Sequence, residues 1–381
     1  MSTQRSFWTK NFTLLFGSNA LLFMVYNMQV PVLPLFGKSL GLSASQIGLF
    51  VGTIMFAAMV VRLFSGKLLT IFSKKTLLLV GVLLYLFTSI GYPLLTPFAF
   101  LIALRILNGV GHGLGTTYFA TAAADELPMN RLGEGMGYFG VSSMLTASLA
   151  PLIALPIAQH LGYNAFFITC IIILAFPVLM LFFMTPKPVA TTNTATSLRS
   201  SFDIAFLPQC LLVFCLGVIM NGVAAYTTLF AQQRHVTTIA WFFFAAAVVG
   251  VLMRPFVGNL FDQRGPFIIM IPSVVCLIVG LLLIINVHTG WQLILAGVFY
   301  GAADGAIFPT AQSWVLKRAG MAKRESATGM FLNSYDFGMG AGAFVLGKVI
   351  DLSSYTAMFW GLLGFTGFYL LLTLYFAYRK V

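Results

Sequence analysis

Charge is what this sequence has least of. Only 8% of its 381 residues are Asp, Glu, Lys or Arg, against about 25% in a typical soluble domain. So few charges cannot cover a water-facing surface, which excludes a large soluble helical protein with a greasy core. Acids are scarcer still, at 9 against 21 Lys and Arg. The resulting net charge of +12 is not gathered into a basic domain, which excludes a nucleic-acid partner. The 4 cysteines (Cys170, Cys210, Cys215 and Cys276) lie inside apolar stretches without paired spacing. They read as packing residues, not as a disulfide or metal framework. A nucleotide-binding Gly-Lys-Thr/Ser loop, a metal-ligand cluster and a Ser/His/Asp arrangement are missing from the sequence. That argues against a primary pump and against hydrolytic membrane enzymes, and leaves the catalytic and metal classes empty.

What is present is apolar length: 59% of the residues are hydrophobic. A bilayer core takes roughly 20 apolar residues per helix. Approximate spans at 11–37, 47–66, 76–95, 98–124, 135–158 and 164–184 precede the one long hydrophilic stretch. Spans at 204–231, 238–258, 267–287, 291–315, 326–349 and 354–377 follow it. Arg5 and Lys10 precede the first apolar stretch as in a signal peptide, but that stretch continues past Pro31 without a small-residue cleavage pattern. It reads as a retained first helix. The expectation is an all-α membrane protein of twelve transmembrane helices in two pseudo-symmetric six-helix bundles. Its divisions are an N-terminal bundle at 1–184, a linker at 185–203 and a C-terminal bundle at 204–381.

Basic residues set the orientation. With both termini inside, the inner loops take Lys67, Lys74, Lys75, Arg131, Lys187, Arg199, Arg264, Lys317, Arg318, Lys323 and Arg324, while the outer side takes only Lys38, Arg234 and Lys348. This is the positive-inside asymmetry.

One ungapped offset relates the halves. Arg62-Leu-Phe64-Ser-Gly66-Lys-Leu68 matches Arg254-Pro-Phe256-Val-Gly258-Asn-Leu260 at a shift of 192 residues. The same shift aligns Gly109 with Gly301, His112 with Asp304, Gly113 with Gly305, Gly137 with Gly329 and Phe167 with Phe359. Gly and Phe are abundant, so single identities are weak; together they describe a duplicated six-helix unit. Transporters are commonly built from such parallel halves with the substrate site near the midplane.

These residues resemble the major facilitator superfamily. The family's loop motif after helix two, G-x-L-x-D-x-x-G-R-K, stands as Gly66-Lys67-Leu68-Leu69-Thr70-Ile71-Phe72-Ser73-Lys74-Lys75, without the acid and the second glycine. The repeat copy, Gly258-Asn259-Leu260-Phe261-Asp262-Gln263-Arg264-Gly265, keeps both. The helix-four motif R-x-x-x-G-x-G is present as Arg105-Ile106-Leu107-Asn108-Gly109-Val110-Gly111. The exporter-associated G-P-x-x-G of helix five is reduced to Ala150-Pro151-Leu152-Ile153-Ala154. The stretches Asp125–Gly140 and Ala327–Gly340 look like a bacterial branch with multidrug, sugar and metallophore exporters. The resemblance implies a bacterial inner-membrane, multi-pass monomer with cytoplasmic termini. It also implies no cofactor, with the proton gradient as energy source; the partners are a small-molecule substrate, protons and the lipid bilayer.

Charges inside the bilayer are expensive and usually pair or face water. Arg105, Asp304 and Asp336 fall inside the expected spans, with His112 as a fourth ionisable group. Arg105, Asn108 and His112 share one helical face, extended by Thr116. If that face lines the pathway, Arg105 holds an anionic substrate group or biases a nearby carboxylate; otherwise it is a structural arginine. Asp304 repeats His112 in the other half and is a proton or substrate candidate, against a polar packing contact. Asp336, before Gly338, Gly340 and Gly342, is divided evenly between close helix packing and pairing with Arg105 or a proton. Asn27, Gln29, Asn221 and Tyr226 are neutral candidates for contacting a solute, though a helix–helix hydrogen bond is the commoner use of each. Near the inner face, Asp262, Arg264, Gly66, Gly258 and Glu134 form a candidate conformational latch through charge pairs and helix dipoles. Glu134 and Asp125, in the next inner loop, are the candidate substitutes for the acid missing at Thr70. Arg62 and Arg254 divide evenly between that latch and interfacial snorkelling.

The leading functional expectation is a proton-coupled antiporter exporting a metallophore, siderophore or drug-like compound. Its alternatives are a proton-coupled nutrient importer and a lipid flippase or non-transporting sensor of the same fold.

Overall fold

The computed structural model describes residues 8–128, 131–185, 206–319 and 324–379. The expected linker, apart from Thr185, lies outside the described residues, as do Arg5, Lys187, Arg199 and Lys323. The described residues form twelve α-helices: α1 (Lys10–Ser39), α2 (Ala44–Ile71), α3 (Lys74–Leu94), α4 (Phe98–Glu126), α5 (Leu132–Pro156) and α6 (Gly162–Phe182), then α7 (Leu207–Gln233), α8 (Ile239–Arg264), α9 (Phe267–Ile285), α10 (Gly290–Ala319), α11 (Arg324–Leu352) and α12 (Tyr355–Tyr378). Ten stretches are long and apolar enough to cross a membrane. One of them runs unbroken over Glu134–Phe182, joining α5 and α6 through a π-helical turn at Ile157–Leu161. The remaining helix, α11, falls outside that set; the polar residues and glycines in it dilute its apolar character.

The inner-loop motifs are more helical than a loop reading implies. α2 continues to Ile71 and α8 to Arg264, so both motifs form the last turns of their helices. Their polar residues suit the segment of a helix that projects past hydrocarbon into water. α3 then restarts at once, because the Ser73 side chain accepts a hydrogen bond from the Thr76 N–H. A serine at this position satisfies one of the otherwise unpaired amides of a first turn.

Two compact units emerge: Met1–Gln29 with Phe56–Ala195, and Val30–Met55 with Thr196–Val381. In the first, α3 packs on α4 and α6. In the second, α11 packs on α7, α10 packs on α8 and α9, and α12 packs on α9 and α7. The far ends of α1 and α2 group with the second unit, where they find polar partners on α7 and α11. The crossover within α1 falls next to Pro31 and Pro34, two residues that cannot donate to the helical ladder.

The 192-residue offset is visible as packing. A Cβ on Gly113 of α4 would meet the Ala58 carbonyl of α2, and a Cβ on Gly305 of α10 would meet the Gly250 carbonyl of α8. Ala58 and Gly250 are themselves 192 residues apart. Each half thus brings its second and fourth helices to backbone contact at the same place, which only glycine permits.

Candidate functional site

α4 carries its polar face inward, as the spacing of Arg105, Asn108 and His112 implied. Arg105 (3% exposed) and Asn108 (0%) are buried together with Gln29 (1%) of α1. The Arg105 Nη1 donates to Asn108 Oδ1 at 3.0 Å and to Gln29 Oε1 at 3.4 Å. Asn108 Nδ2 donates onward to Thr88 Oγ1 of α3 at 3.0 Å. A guanidinium taken out of water needs several oriented acceptors; α1 and α4 supply them, and α3 holds Asn108 in turn. The Nε2 of Gln29 is buried with no hydrogen-bond partner among the described residues.

Two turns along α4, His112 is enclosed. Its Nδ1 lies 3.0 Å from the Tyr85 hydroxyl, its ring stacks on Tyr26 at a centroid distance of 4.6 Å, and Phe23 meets it edge-on at 6.1 Å. The next turn is tied to α2, where Arg62 Nη2 donates to Thr116 Oγ1 at 3.2 Å. Arg62 is also within electrostatic range of the His112 imidazole. Asn27 is used between helices of the same unit, donating to Thr146 Oγ1 of α5 at 3.2 Å.

In the second unit Asp304 sits midway along α10 and is exposed. Arg254 of α8 acts on its charge. Arg62 and Arg254, 192 residues apart, thus each stand within electrostatic range of the ionisable residue at the matching repeat position. One turn beyond Asp304, Phe308 meets Tyr335 edge-on at 4.9 Å and Phe331 at 5.3 Å. Asp336, adjacent to Tyr335, is buried.

Asn221 and Tyr226 are used between helices of the second unit. Both turn to backbone carbonyls of α11: Asn221 Nδ2 donates to Met339 O at 2.6 Å, and the Tyr226 hydroxyl donates to Ala343 O at 2.5 Å.

The candidate latch residues lie in both units, and each is placed within its own. Gly66, Gly258, Asp262 and Arg264 are exposed at the ends of α2 and α8. Among the described residues neither Asp262 nor Arg264 enters an ion pair. Glu134 is held by Arg131, whose Nε and Nη2 reach the two carboxylate oxygens at 2.8 Å each. That hydrogen bonding from Arg131 keeps the Glu134 carboxyl below its usual value. On the first half, Asp125 pairs with Lys74, joining the end of α4 to the start of α3. Lys75 donates to the carbonyls of Phe182 (2.8 Å) and Met184 (2.7 Å), a favourable place for a cation at the end of a helix.

Sequence reasoning missed Tyr26, Tyr85 and Thr88, which are the neutral partners of His112 and Asn108. Nothing in their own spacing marks them. It left Arg62 and Arg254 undecided although the offset that joined His112 to Asp304 also joined these two.

The family model described as Major Facilitator Superfamily matches residues 15–343 and, overlapping it, 236–381. An uncharacterized MFS-type transporter of Methanocaldococcus jannaschii is 24% identical over 367 residues, covering 92% of each chain. The multidrug resistance protein MdtG of Salmonella arizonae is 28% identical over 328 residues, covering 80% of each. Among solved structures, a mutant of the nucleoside transporter NupG superposes with a TM-score of 0.84 at 16% identity, covering 95% of this chain and 98% of the other.

Proposed function

Because this chain belongs to the major facilitator superfamily, and so is a small-molecule transporter of the membrane and not an enzyme, we propose that it is a proton-coupled antiporter that exports its substrate. The observation that carries this reading is Asp304, an exposed carboxyl group at the centre of a membrane-length apolar helix. A carboxylate at that depth is costly against lipid, so it faces a water-filled path. There it is a group that takes and releases a proton as access alternates, with Arg254 as the neighbouring charge. Arg105 is the matching element for substrate. Its guanidinium and the Nε2 of Gln29 are adjacent donors buried in low dielectric, a pairing that suits a carboxylate or other planar anion. The substrate class is therefore a small compound with at least one anionic group, such as a metallophore or siderophore or an amphipathic drug. The name and coverage of MdtG support export.

In the same reading the moving bodies are the two repeats, 1–184 and 204–381, joined at 185–203. The protein lies as a monomer in a bacterial inner membrane; its Lys and Arg distribution supports placing both termini in the cytoplasm. It uses the proton gradient and no cofactor. Asp262, Arg264 and Glu134 act at the inner face, and Asp336 stays near the path as a second acid.

The test is transport by purified protein in proteoliposomes with an imposed pH gradient. Wild type moves an anionic solute against a proton flux, Asp304→Asn stops the coupled movement, and Arg105→Ala weakens apparent affinity. Flux unchanged in both variants for every solute carried would sink the proposal. The importer reading draws on the degraded helix-five motif at Ala150 and Ala154, and the sign of the flux decides it in the same vesicles.

A further inference from the structure

Asp351 sits in the last turn of α11, outside the expected span, and is one of only 9 acids in the chain. Its side chain reaches the start of α2, within the same compact unit. Oδ1 accepts from the Ala44 N–H at 2.8 Å and Oδ2 from the Ser45 N–H at 3.0 Å. These are first-turn amides, which have no partner inside their own helix and form the positive end of its dipole. α2 does not need this carboxylate in order to begin. Ser43 and Gln46 already form a reciprocal capping box: the Ser43 N–H donates to Gln46 Oε1 at 2.9 Å and the Gln46 N–H to Ser43 Oγ at 3.3 Å. Asp351 takes the two amides the box leaves over. Its bond is therefore a tertiary clamp and not a local cap.

Other polar contacts line up beside it. The hydroxyl of Tyr226 on α7, which donates to Ala343 O of α11, lies 3.3 Å from the Ala44 carbonyl. Lys38, at the end of α1, donates to Gln232 Oε1 on α7 at 3.4 Å. Beneath this rim the seam is backbone on backbone. A Cβ on Gly48 would strike the Ala343 carbonyl, one on Gly52 the Gly340 carbonyl, and one on Gly347 the Ala44 carbonyl. The Tyr226 hydroxyl also stands against Gly48 and Gly347, so the two surfaces part only when that side chain lets go. The clamp at the rim is also the part that water can replace, because Asp351 is exposed.

We propose that Asp351, with Tyr226 beside it, is a releasable latch that fastens the α1–α2 turn to α11 and α7, and that its release opens the transport path at the end opposite the termini. The proposal rests on the alternating-access reading above, but its test does not depend on substrate. Hydrogen bonds to an ionised acceptor are the strong ones, so their loss shifts the open population measurably. On a background with all four native cysteines replaced, Val51→Cys places a reporter two turns inside the clamp, where Val51 is buried. The full-length protein in lipid nanodiscs is then titrated with a water-soluble maleimide. Asp351→Ala raises the labelling rate by about tenfold, the shift expected from losing one charge-assisted bond. Tyr226→Phe raises it by a smaller factor, and Asp351→Glu stays within about twofold of the parent. Asp351→Asn, which keeps the shape but loses the charge, falls between and carries the test if the alanine variant does not fold. Folded, monodisperse Asp351→Ala or Asp351→Asn protein that labels at the parent rate overturns the latch. Wild-type vesicles that fail to transport would instead refute the functional reading and leave the labelling result standing.

Discussion

Two regions of this molecule began as copies and now differ in what they do with an ionisable side chain. On α4, His112 is hydrogen-bonded by Tyr85, stacked on Tyr26 and flanked by Phe23. On α10, Asp304 occupies the same repeat position and is exposed. Both keep an arginine on the preceding packed helix, Arg62 and Arg254, and both keep the glycine contact that brings those helices together. The helix packing was conserved by the duplication while the chemistry separated. The imidazole is held by a hydrogen bond and an aromatic stack, whereas the mid-helix carboxyl is open, which is why the proposed proton step is assigned to Asp304.

That contrast breaks most directly at Asp304. Asp304→Asn lowers proton-driven flux by about a hundredfold or more, as expected for removing the only group that changes charge at this point, read as solute movement against an imposed pH gradient. A partial recovery in Asp304→Glu sharpens the assignment. Next in size is Arg105. Arg105→Ala raises the apparent KM by about tenfold or more with kcat less affected, since a binding contact common to ground and transition states is lost. Arg105→Lys restores only part, because an ammonium cannot reproduce the planar fork. The glycine contacts give a paired comparison of stability. Gly305→Ala and Gly113→Ala both overpack a helix seam at a cost of about 1–3 kcal/mol. Gly305→Ala is the more damaging, since the approach to Gly250 is closer than that to Ala58; thermal melts in detergent measure the order.

On the enclosed side the effects are smaller. Tyr85→Phe removes one hydrogen bond to His112, worth about 1 kcal/mol in stability, and leaves coupled flux within about threefold of wild type. Loss of coupling in that variant would show that His112 titrates and would erase the contrast between halves. Smallest is the effect of pH on Asp351. Burial raises its carboxyl, but the hydrogen bonds from Ser45, Ala44 and Ser43 outweigh this and hold it below its ordinary value. A depressed acid contributes its stabilisation above the unfolded-state pKa and loses it as pH falls through the lower folded value. Maleimide attacks through the thiolate, so the rate is divided by that of a free thiol at the same pH; from about pH 8 to about pH 6, both above the ordinary carboxylate range, that ratio for Val51→Cys should therefore stay flat.

Much of the fold was legible because apolar length and repeat spacing are local signals. The helix positions follow from runs of hydrophobic residues, and the offset of 192 residues anticipated the matched contacts of Gly113 and Gly305. The face of α4 was legible for the same reason, since Arg105, Asn108 and His112 differ from everything around them. Tyr85 and Tyr26 were not, because an aromatic residue in an apolar helix looks the same whether it meets lipid, core or an imidazole. Asn221 and Tyr226, solute candidates for which a helix–helix hydrogen bond was the commoner use, satisfy carbonyls of α11 at close-packed points. Such a use depends on how near another backbone comes, and no spacing within α7 encodes that. Asp351 escaped attention because an acid near a helix end in a loop region is ordinary. Its meaning lies in two amides more than 300 positions earlier in the chain.

That separation bears on how the protein is made. The turn end of the α1–α2 hairpin leaves the ribosome early, but the groups that bury it, Tyr226, Ala343 and Asp351, are synthesised much later. Until then Gly48, Gly52 and the amides of Ala44 and Ser45 have no neighbour to close against. The first hairpin is thus inserted first and finished last. A chain divided at the linker yields a C-terminal fragment lacking part of its own packing, and the two fragments should be recovered as a folded pair only when they are produced together.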